Sequence, residues 1–354
     1  MDYVRNAWYV AGWASEFGDD LCRVTILEEN LVMYRTSAGT VVAMEDRCPH
    51  RFLPLSRGKR IGDDIQCGYH GMTFDCRGKC VRVPGQDGIP AQAYVETFPV
   101  HEKHQIVWVW MGDREKADID AVFDMPEFDD PKWHAHQGGQ LHLKSNYLNV
   151  AENLVDPAHV SFVHPTTLGS AASEEVPVQI SIKGEPIVAW RWIRDAPAVG
   201  FFQEFGGFSG NVDRWHYYYL YTPCTAVIDF GSAATEEQLD EQARDRGVRI
   251  FALHFMTPVN AHYTIDRWMH LRNRAIDDEA VSRKMDDMFT VAFAEDKIIL
   301  EAVQEEENRP AKRPAVRIGI DKGPNAYRKR IDRLIAHERA AAQQLNARPQ
   351  AISK

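Results

Sequence analysis

The stretch Glu45–Asp75, EDRCPHRFLPLSRGKRIGDDIQCGYHGMTFD, holds two Cys/His pairs: Cys48 and His50 as CxH and, after sixteen intervening residues, Cys67 and His70 as CxxH. Thiolate sulfur and imidazole nitrogen suit both zinc and iron–sulfur centres, so residue type alone leaves the metal open. Spacing discriminates. Structural zinc sites favour roughly two to four residues between paired ligands, a condition that Cys67 and His70 meet and Cys48 and His50 do not. Pro49, Gly68 and Gly71 crowd these segments, which reads as two loop tips carrying the four side chains. Working outward, CRVTILEENLVMYRTSAGTVVAMED alternates apolar and polar residues across turn signals, and Arg77-Gly78 sits between two short extended arms as in a hairpin. The region from about 21 to 110 is therefore expected to be an antiparallel β domain.

A chain of 354 residues exceeds the usual size of a single core and suggests two domains. The charged, Pro-containing run MGDREKADIDAVFDMPEFDDPKW breaks the β pattern, which puts the boundary near 115 and the domains at 1–115 and 116–354. The second region mixes alternating segments (177–230, 248–257, 262–271) with helical patterns at 277–307 and 325–345, an α+β signature. NYLNVAENLVDPAHVSFVHP reads as a further helix. A content of 44% hydrophobic and 26% charged residues is that of a globular protein. The net charge of -10, with basic residues scattered, disfavours nucleic acid. The densest apolar run, QIVWVWMG at 105–112, is too short for a bilayer, which needs roughly 20 residues. The N-terminus lacks the apolar core of a secretion signal, and six Cys, two of them paired with His, fit a reducing, cytoplasmic setting.

The second region carries its own candidate ligands in ENLVDPAHVSFVH. Asn153, Asp156 and His159 lie three apart and would share one helix face, an unusual concentration of polar groups in an apolar segment. His164 follows His159 by five residues, about 140° around an ideal helix, so the two reach one metal only if the helix ends or bends between them. Pro157 and Pro165 supply a reason for such a bend. A carboxylate would complete a 2-His-1-carboxylate iron(II) triad. Downstream, Val281, Met285, Phe289, Ala292, Asp296, Ile299 and Val303 form a helical stripe, and Asp296 is its one charged member. A carboxylate on a buried face is costly unless paired or metal-bound, which singles out Asp296 over Asp286, Asp287 and Glu295.

CPHR with CGYHG resembles the Rieske [2Fe-2S] motif CxHR…CxxHG, in which two sulfide-bridged irons take both thiolates on one iron and both imidazoles on the other. With VRNAWYVAGW at the start, ENLVDPAHVSFVH and FAEDKIILEAVQ in the same order, nearly the whole chain is similar to the Rieske non-haem iron oxygenases. It is most similar to the vanillate O-demethylase, dicamba demethylase and toluenesulfonate methyl-monooxygenase group. The resemblance implies a helix-grip-like catalytic domain and a cluster on Cys48, His50, Cys67 and His70. It also implies a mononuclear iron(II) on His159, His164 and Asp296, with Asn153 close to that iron. In this family Asp156 would bridge to a Rieske histidine, here His70, of a neighbouring subunit in a trimer. Further implications are a separate reductase with flavin and a ferredoxin-type iron–sulfur centre, NAD(P)H as its electron source, and O2 and a small aromatic molecule, carboxylated or sulfonated, as substrates. The DPAH string departs from vanillate demethylase, which leaves the substrate open between demethylation, methyl hydroxylation, ring dihydroxylation and phenoxy-ether cleavage. A rival from another class is an electron-transfer Rieske protein with a non-catalytic second domain.

PAVGFFQEFGGFSG and VDRWHYYYLY are the stretches that could wall a substrate pocket, and Arg191, Arg194, His254 and Arg267 are candidates for holding an anionic group.

Overall fold

The computed structural model describes residues 2–347, which divide into two compact units, Asp2–Val122 and Phe123 onward. The first is built from three antiparallel sheets. In one, β1 (Trp8–Trp13) pairs with β11 (Ile106–Trp110), which also carries β10 (Val100–Lys103). In the second, β2 (Cys22–Ile26), β3 (Glu29–Arg35) and β4 (Val41–Glu45) follow one another, with β9 (Thr97–Phe98) on the β4 edge. In the third, β5 (Lys59–Ile61), β6 (Asp64–Gln66), β7 (Thr73–Phe74) and β8 (Cys80–Arg82) form a meander. The expected hairpin joins β7 to β8. Gly78 takes a φ of +79° there, and a Cβ would lie 1.9 Å from the Val95 carbonyl oxygen, so only glycine fits.

One seven-stranded antiparallel sheet organises the second unit. Its strands are β12 (His134–Leu143), β13 (Gln179–Ser181), β14 (Ile187–Ala196), β15 (Val212–Tyr221), β16 (Thr225–Ala234), β17 (Val248–Asn260) and β18 (Tyr263–Arg272). Their spatial order is β12-β18-β17-β16-β15-β14-β13. Side chains alternate between faces, so on β15 Arg214, His216 and Tyr218 share one face and Trp215, Tyr217 and Tyr219 the other. The outer face centres on Trp215, which is wholly buried with Tyr217, Ala233 and Leu239. At Gly231, directly opposite Trp215, a Cβ would lie 2.1 Å from the indole, so the register admits no side chain there.

The inner face is covered by α4 (Glu279–Glu307), whose first turn is capped by the Asp278 carboxylate accepting from the Ala280 and Val281 N–H groups. Phe289 and Phe293 of this helix stack on one another and meet Trp268 and His254 of the sheet edge-on. Val281, Met285, Phe289, Ala292 and Asp296 are buried along one stripe, but the stripe then continues through Leu300 and Gln304. Ile299 and Val303, expected to face inward, are 45% and 43% exposed. Beyond Asp296 the helix passes the backbone of Lys144 and Asn146, whose N–H groups donate to Glu301 Oε1 (2.9 Å) and Gln304 Oε1 (2.7 Å), so polar residues occupy the inward positions.

The helix expected over 147–165 is two pieces, α1 (Tyr147–Asn153) and the single turn α2 (Val160–Val163). Asn146 caps the first by accepting from Leu148 N–H at 2.8 Å. Between them Pro157 offers no N–H, and the Asp156 carboxylate accepts from Ala158 N–H at 2.8 Å, an Asx turn that redirects the chain. Two further helices, α3 (Gly200–Phe205) and α5 (Lys322–Ala347), complete the unit. None of the helices described is long and apolar enough to cross a membrane.

Candidate metal centres and cavity

In the first unit the two Cys/His loops follow β4 and β6, each closed by backbone hydrogen bonds. Cys48 N–H donates to Leu53 O (3.0 Å) and Cys67 N–H to Met72 O (2.8 Å), while Phe52 and Gly71 N–H groups return to the Cys48 and Cys67 carbonyls. This geometry buries both sulfurs and leaves His50 and His70 exposed, their ring centroids 4.5 Å apart. Burial pushes the Cys48 thiol up to about 11, with the contact to Cys67 acting in the same direction. A thiol so held gives up its proton readily only to a metal, whose charge replaces it. Among the described residues, groups of three or more ligand atoms mutually within 4.8 Å occur elsewhere and do not include this quartet. Sulfur sits with sulfur and ring with ring, an arrangement that suits a two-iron cluster with both thiolates on one iron and both imidazoles on the other.

In the second unit the α1–α2 break resolves the five-residue spacing. His159 precedes the single turn of α2 and His164 follows it, so neither is confined to the 140° separation of a continuous helix, and their rings lie 5.3 Å apart. Asp296, reaching across from α4, brings its Oδ1 to 3.5 Å from His159 Nε2 and 3.2 Å from His164 Nε2. Donors sharing one metal at about 2.1 Å each lie roughly 3 Å apart, so the three atoms fit a common ion. Around them, Glu295 Oε2 accepts from His164 Nδ1 at 2.7 Å and from Thr167 Oγ1 at 2.9 Å, and Asn153 Nδ2 donates to Asp296 Oδ1 at 3.1 Å. The Glu295 contact fixes the tautomer of His164 and turns its Nε2 toward Asp296. Burial alone would raise Asp296, but His164, His159 and Asn153 hold it below the usual carboxylate range, so it is an anion. Burial lowers His159, whereas at His164 Asp296 and Glu295 outweigh burial and raise it. An anionic carboxylate between two imidazoles is the donor set of a facial triad.

All three side chains line one cavity, whose other walls include Phe201, Phe202, Phe230, Phe289 and Phe293. Both aromatic-rich stretches reach it, the first through α3 and the second through Arg214, His216 and Tyr218 of β15.

Residues 143–337 match the vanillate O-demethylase oxygenase C-terminal domain and residues 7–99 the Rieske [2Fe-2S] domain. The chain belongs to the Rieske oxygenase family. This Rieske oxygenase is 36% identical to the toluene-4-sulfonate monooxygenase system iron-sulfur subunit of Comamonas testosteroni over 95% of its own length and 98% of the relative's. It is 32% identical to the vanillate O-demethylase oxygenase subunit of a Pseudomonas species, with 96% and 97% covered. The crystal structure of dicamba monooxygenase bound to 3,6-dichlorosalicylic acid superposes with a TM-score of 0.86 at 29% identity, over 96% of this chain and all of that one.

A second convergence in this oxygenase joins His136, His270 and Asp286. His136 Nε2 meets Asp286 Oδ2 at 2.8 Å and His270 Nε2 lies 3.5 Å from Asp286 Oδ1, beneath the N-terminal half of α4. Burial pushes His270 down to about 4, and the two imidazoles together pull Asp286 below its ordinary value against the effect of burial. None of the three lines the cavity. Of the residues singled out as anion holders, Arg194 stacks on Trp192 and pairs with Asp213 on the outer face. Arg267 lies between two inward residues of β18, Asp266 and Trp268, and so faces outward as well. His254 does line the cavity, with its Nδ1 held by Asp266 at 2.7 Å. The sequence reading set Glu295 aside and named the stretch holding Arg214 and His216 as a pocket wall without singling out either residue, because only the fold brings them beside His164 and the cavity.

Proposed function

We propose that this chain is the terminal oxygenase component of a two-component Rieske monooxygenase that hydroxylates or O-demethylates a small aromatic substrate with O2 and electrons delivered from NAD(P)H by a separate reductase. In this reading a Rieske domain, 1–115, holds its [2Fe-2S] cluster on Cys48, His50, Cys67 and His70. A catalytic domain, 116–354, holds mononuclear Fe(II) on His159, His164 and Asp296. The observation that carries it is the convergence of those three side chains on one wall of a phenylalanine-lined cavity. When bound, the mononuclear iron supplies O2 activation for oxygenation of a C–H bond, with reducing equivalents relayed singly through the cluster. The residues that would hold the iron line the same cavity as the phenylalanines, which hold an aromatic ring beside them and exclude water. Glu295 and Asn153 keep His164 and Asp296 oriented. Asp156 is read as a bridging carboxylate that accepts a hydrogen bond from His70 of the partner subunit in a cytoplasmic homotrimer.

Changing His159→Ala is expected to abolish substrate-dependent O2 uptake while the Rieske absorption and EPR signals persist unchanged. Full turnover in that variant would sink the proposal, and turnover lost together with the Rieske signal would point to misfolding, which circular dichroism separates.

A further inference from the structure

Two buried guanidiniums beside the cavity have no part in metal binding. Arg191 on β14 and Arg214 on β15 are 2% and 1% exposed. Arg191 is directly opposite His216 across the β14–β15 ladder, and Arg214 and His216 are two apart on one strand, so all three project from the inner face. Arg214 and His216 line the cavity with His159, His164 and Asp296.

Each guanidinium gives one nitrogen to a neutral acceptor: Arg191 Nη1 donates to the Ser173 carbonyl and Arg214 Nη2 to Ser170 Oγ, both at 2.7 Å. The remaining donors face nothing. Arg191 Nε and Nη2, Arg214 Nε and Nη1, and His216 Nδ1 are buried with no hydrogen-bond partner among the described residues. Nε and Nη2 of Arg191 form the side-on edge of the guanidinium, the fork that an oxyanion accepts in bidentate fashion. No carboxylate forms an ion pair with either arginine among the described residues. Burial pushes Arg214 down to about 10, Arg191 pushes the same way, and no acidic group opposes them, yet at neutral pH the group remains a cation. At Arg191 burial also lowers the group, opposed by Tyr218 and Asp156.

A buried charge with unmet donors is unfavourable unless something neutralises it, and two of like sign on one face are more so. The one carboxylate lining the cavity among the described residues, Asp296, is engaged by His159, His164 and Asn153 and forms no ion pair with either arginine. What suits four free guanidinium nitrogens on two side chains, with the His216 ring beside them, is a group with two or three oxygens sharing one negative charge.

We propose that Arg214, with Arg191 and His216 beside it, forms the subsite for the anionic group of the substrate, a ring-bound carboxylate or sulfonate. The aromatic ring then lies among the phenylalanines and directs its far side toward His159, His164 and Asp296. Arg214 sets specificity, because a neutral analogue would displace water from the guanidiniums without replacing its hydrogen bonds. This assignment rests on the oxygenase reading for its purpose but is tested by binding alone.

Isothermal titration calorimetry of the full-length holoenzyme with 4-methylbenzenesulfonate and 4-methylbenzoate, against 4-methylbenzenesulfonamide and 4-methylbenzamide, provides the test. Wild-type protein is expected to bind at least one anion about tenfold or more tighter than its neutral partner, and the tighter anion separates sulfonate from carboxylate as the natural group. Arg214→Met is expected to lose about tenfold or more for that anion and to bind the neutral compound within about threefold of wild type, with the unliganded melting temperature unchanged or raised. Arg214→Lys, which keeps the charge without the fork, is expected to fall between them and decides the matter if the Met variant fails to fold. Wild-type protein that binds anion and amide alike, or neither anion, overturns the proposal, as does an Arg214→Met variant with undiminished anion affinity. O2 uptake driven equally by neutral and anionic compounds would remove the anion subsite and leave the oxygenase reading standing. Arg214-dependent anion binding with no O2 uptake on any aromatic would do the reverse.

Discussion

Arginines are buried on both faces of the seven-stranded sheet, and the two faces treat them in opposite ways. On the outer face Arg244 and Arg249 converge on Asp229, which is wholly buried and also accepts from Trp215 Nε1 at 3.1 Å. Burial works to lower Arg249, and Asp229 with Asp245 overcomes it and carries the group above its ordinary value. On the inner face Arg191 and Arg214 are more deeply buried, lean on neutral oxygens and leave nitrogens unpaired. The outer charges are satisfied within the chain and hold the 235–247 segment over Trp215. Charge on the inner face is incomplete within the chain, and the missing anion has to come from outside. A buried ion thus marks structure where its partner is internal and function where it is not.

The largest expected effect tests the outer half of that contrast. Asp229→Ala leaves the buried Arg244 without a carboxylate and Arg249 with only the exposed Asp245, and should cost about 3–5 kcal/mol in a denaturant titration. A loss below about 1 kcal/mol would mean that the outer network is solvated after all. An intermediate case is the His136, His270 and Asp286 group, whose carboxylate is already engaged by His136. Asp286→Ala should cost about 1–3 kcal/mol while leaving the iron content per chain unchanged; a drop in iron would make this group a metal site instead. The smallest change is expected from Arg214→Met without ligand, within about 1 kcal/mol of wild type, because removing an unpaired buried charge relieves as much as the lost packing costs. A penalty as large as that of Asp229→Ala would erase the distinction between the faces.

Much of this was legible in the sequence where a local pattern carries the constraint. The CxH and CxxH spacing identifies a two-iron motif without any fold, and the helical periodicity around Asp296 turns one carboxylate inward among several. Legibility fails where a residue's role depends on what another element brings to it. Ile299 and Val303 look like core by hydropathy, but the helix there serves backbone N–H groups, and Gln304 is buried in their place. Glu295 lies off the apolar stripe and matters because Pro157 and the Asp156 turn deliver His164 to it. β12 is rich in His, Gln and Gly, and only its pairing with β18 makes HAHQGGQLHL a strand. Arg214 differs from Arg194 by its face of the sheet, which becomes visible once the inner and outer rows are known.

In the proposed oxygenase one chain carries a two-iron cluster and a separate iron centre on His159, His164 and Asp296. Iron and acid-labile sulfide measured per chain, alongside the Rieske EPR signal, test it most directly in wild type and Asp296→Ala. About three irons and two sulfides are expected in the wild type, falling to about two and two in the variant with the EPR signal intact. A variant that keeps the full iron content, or one that loses iron and sulfide together, would contradict it.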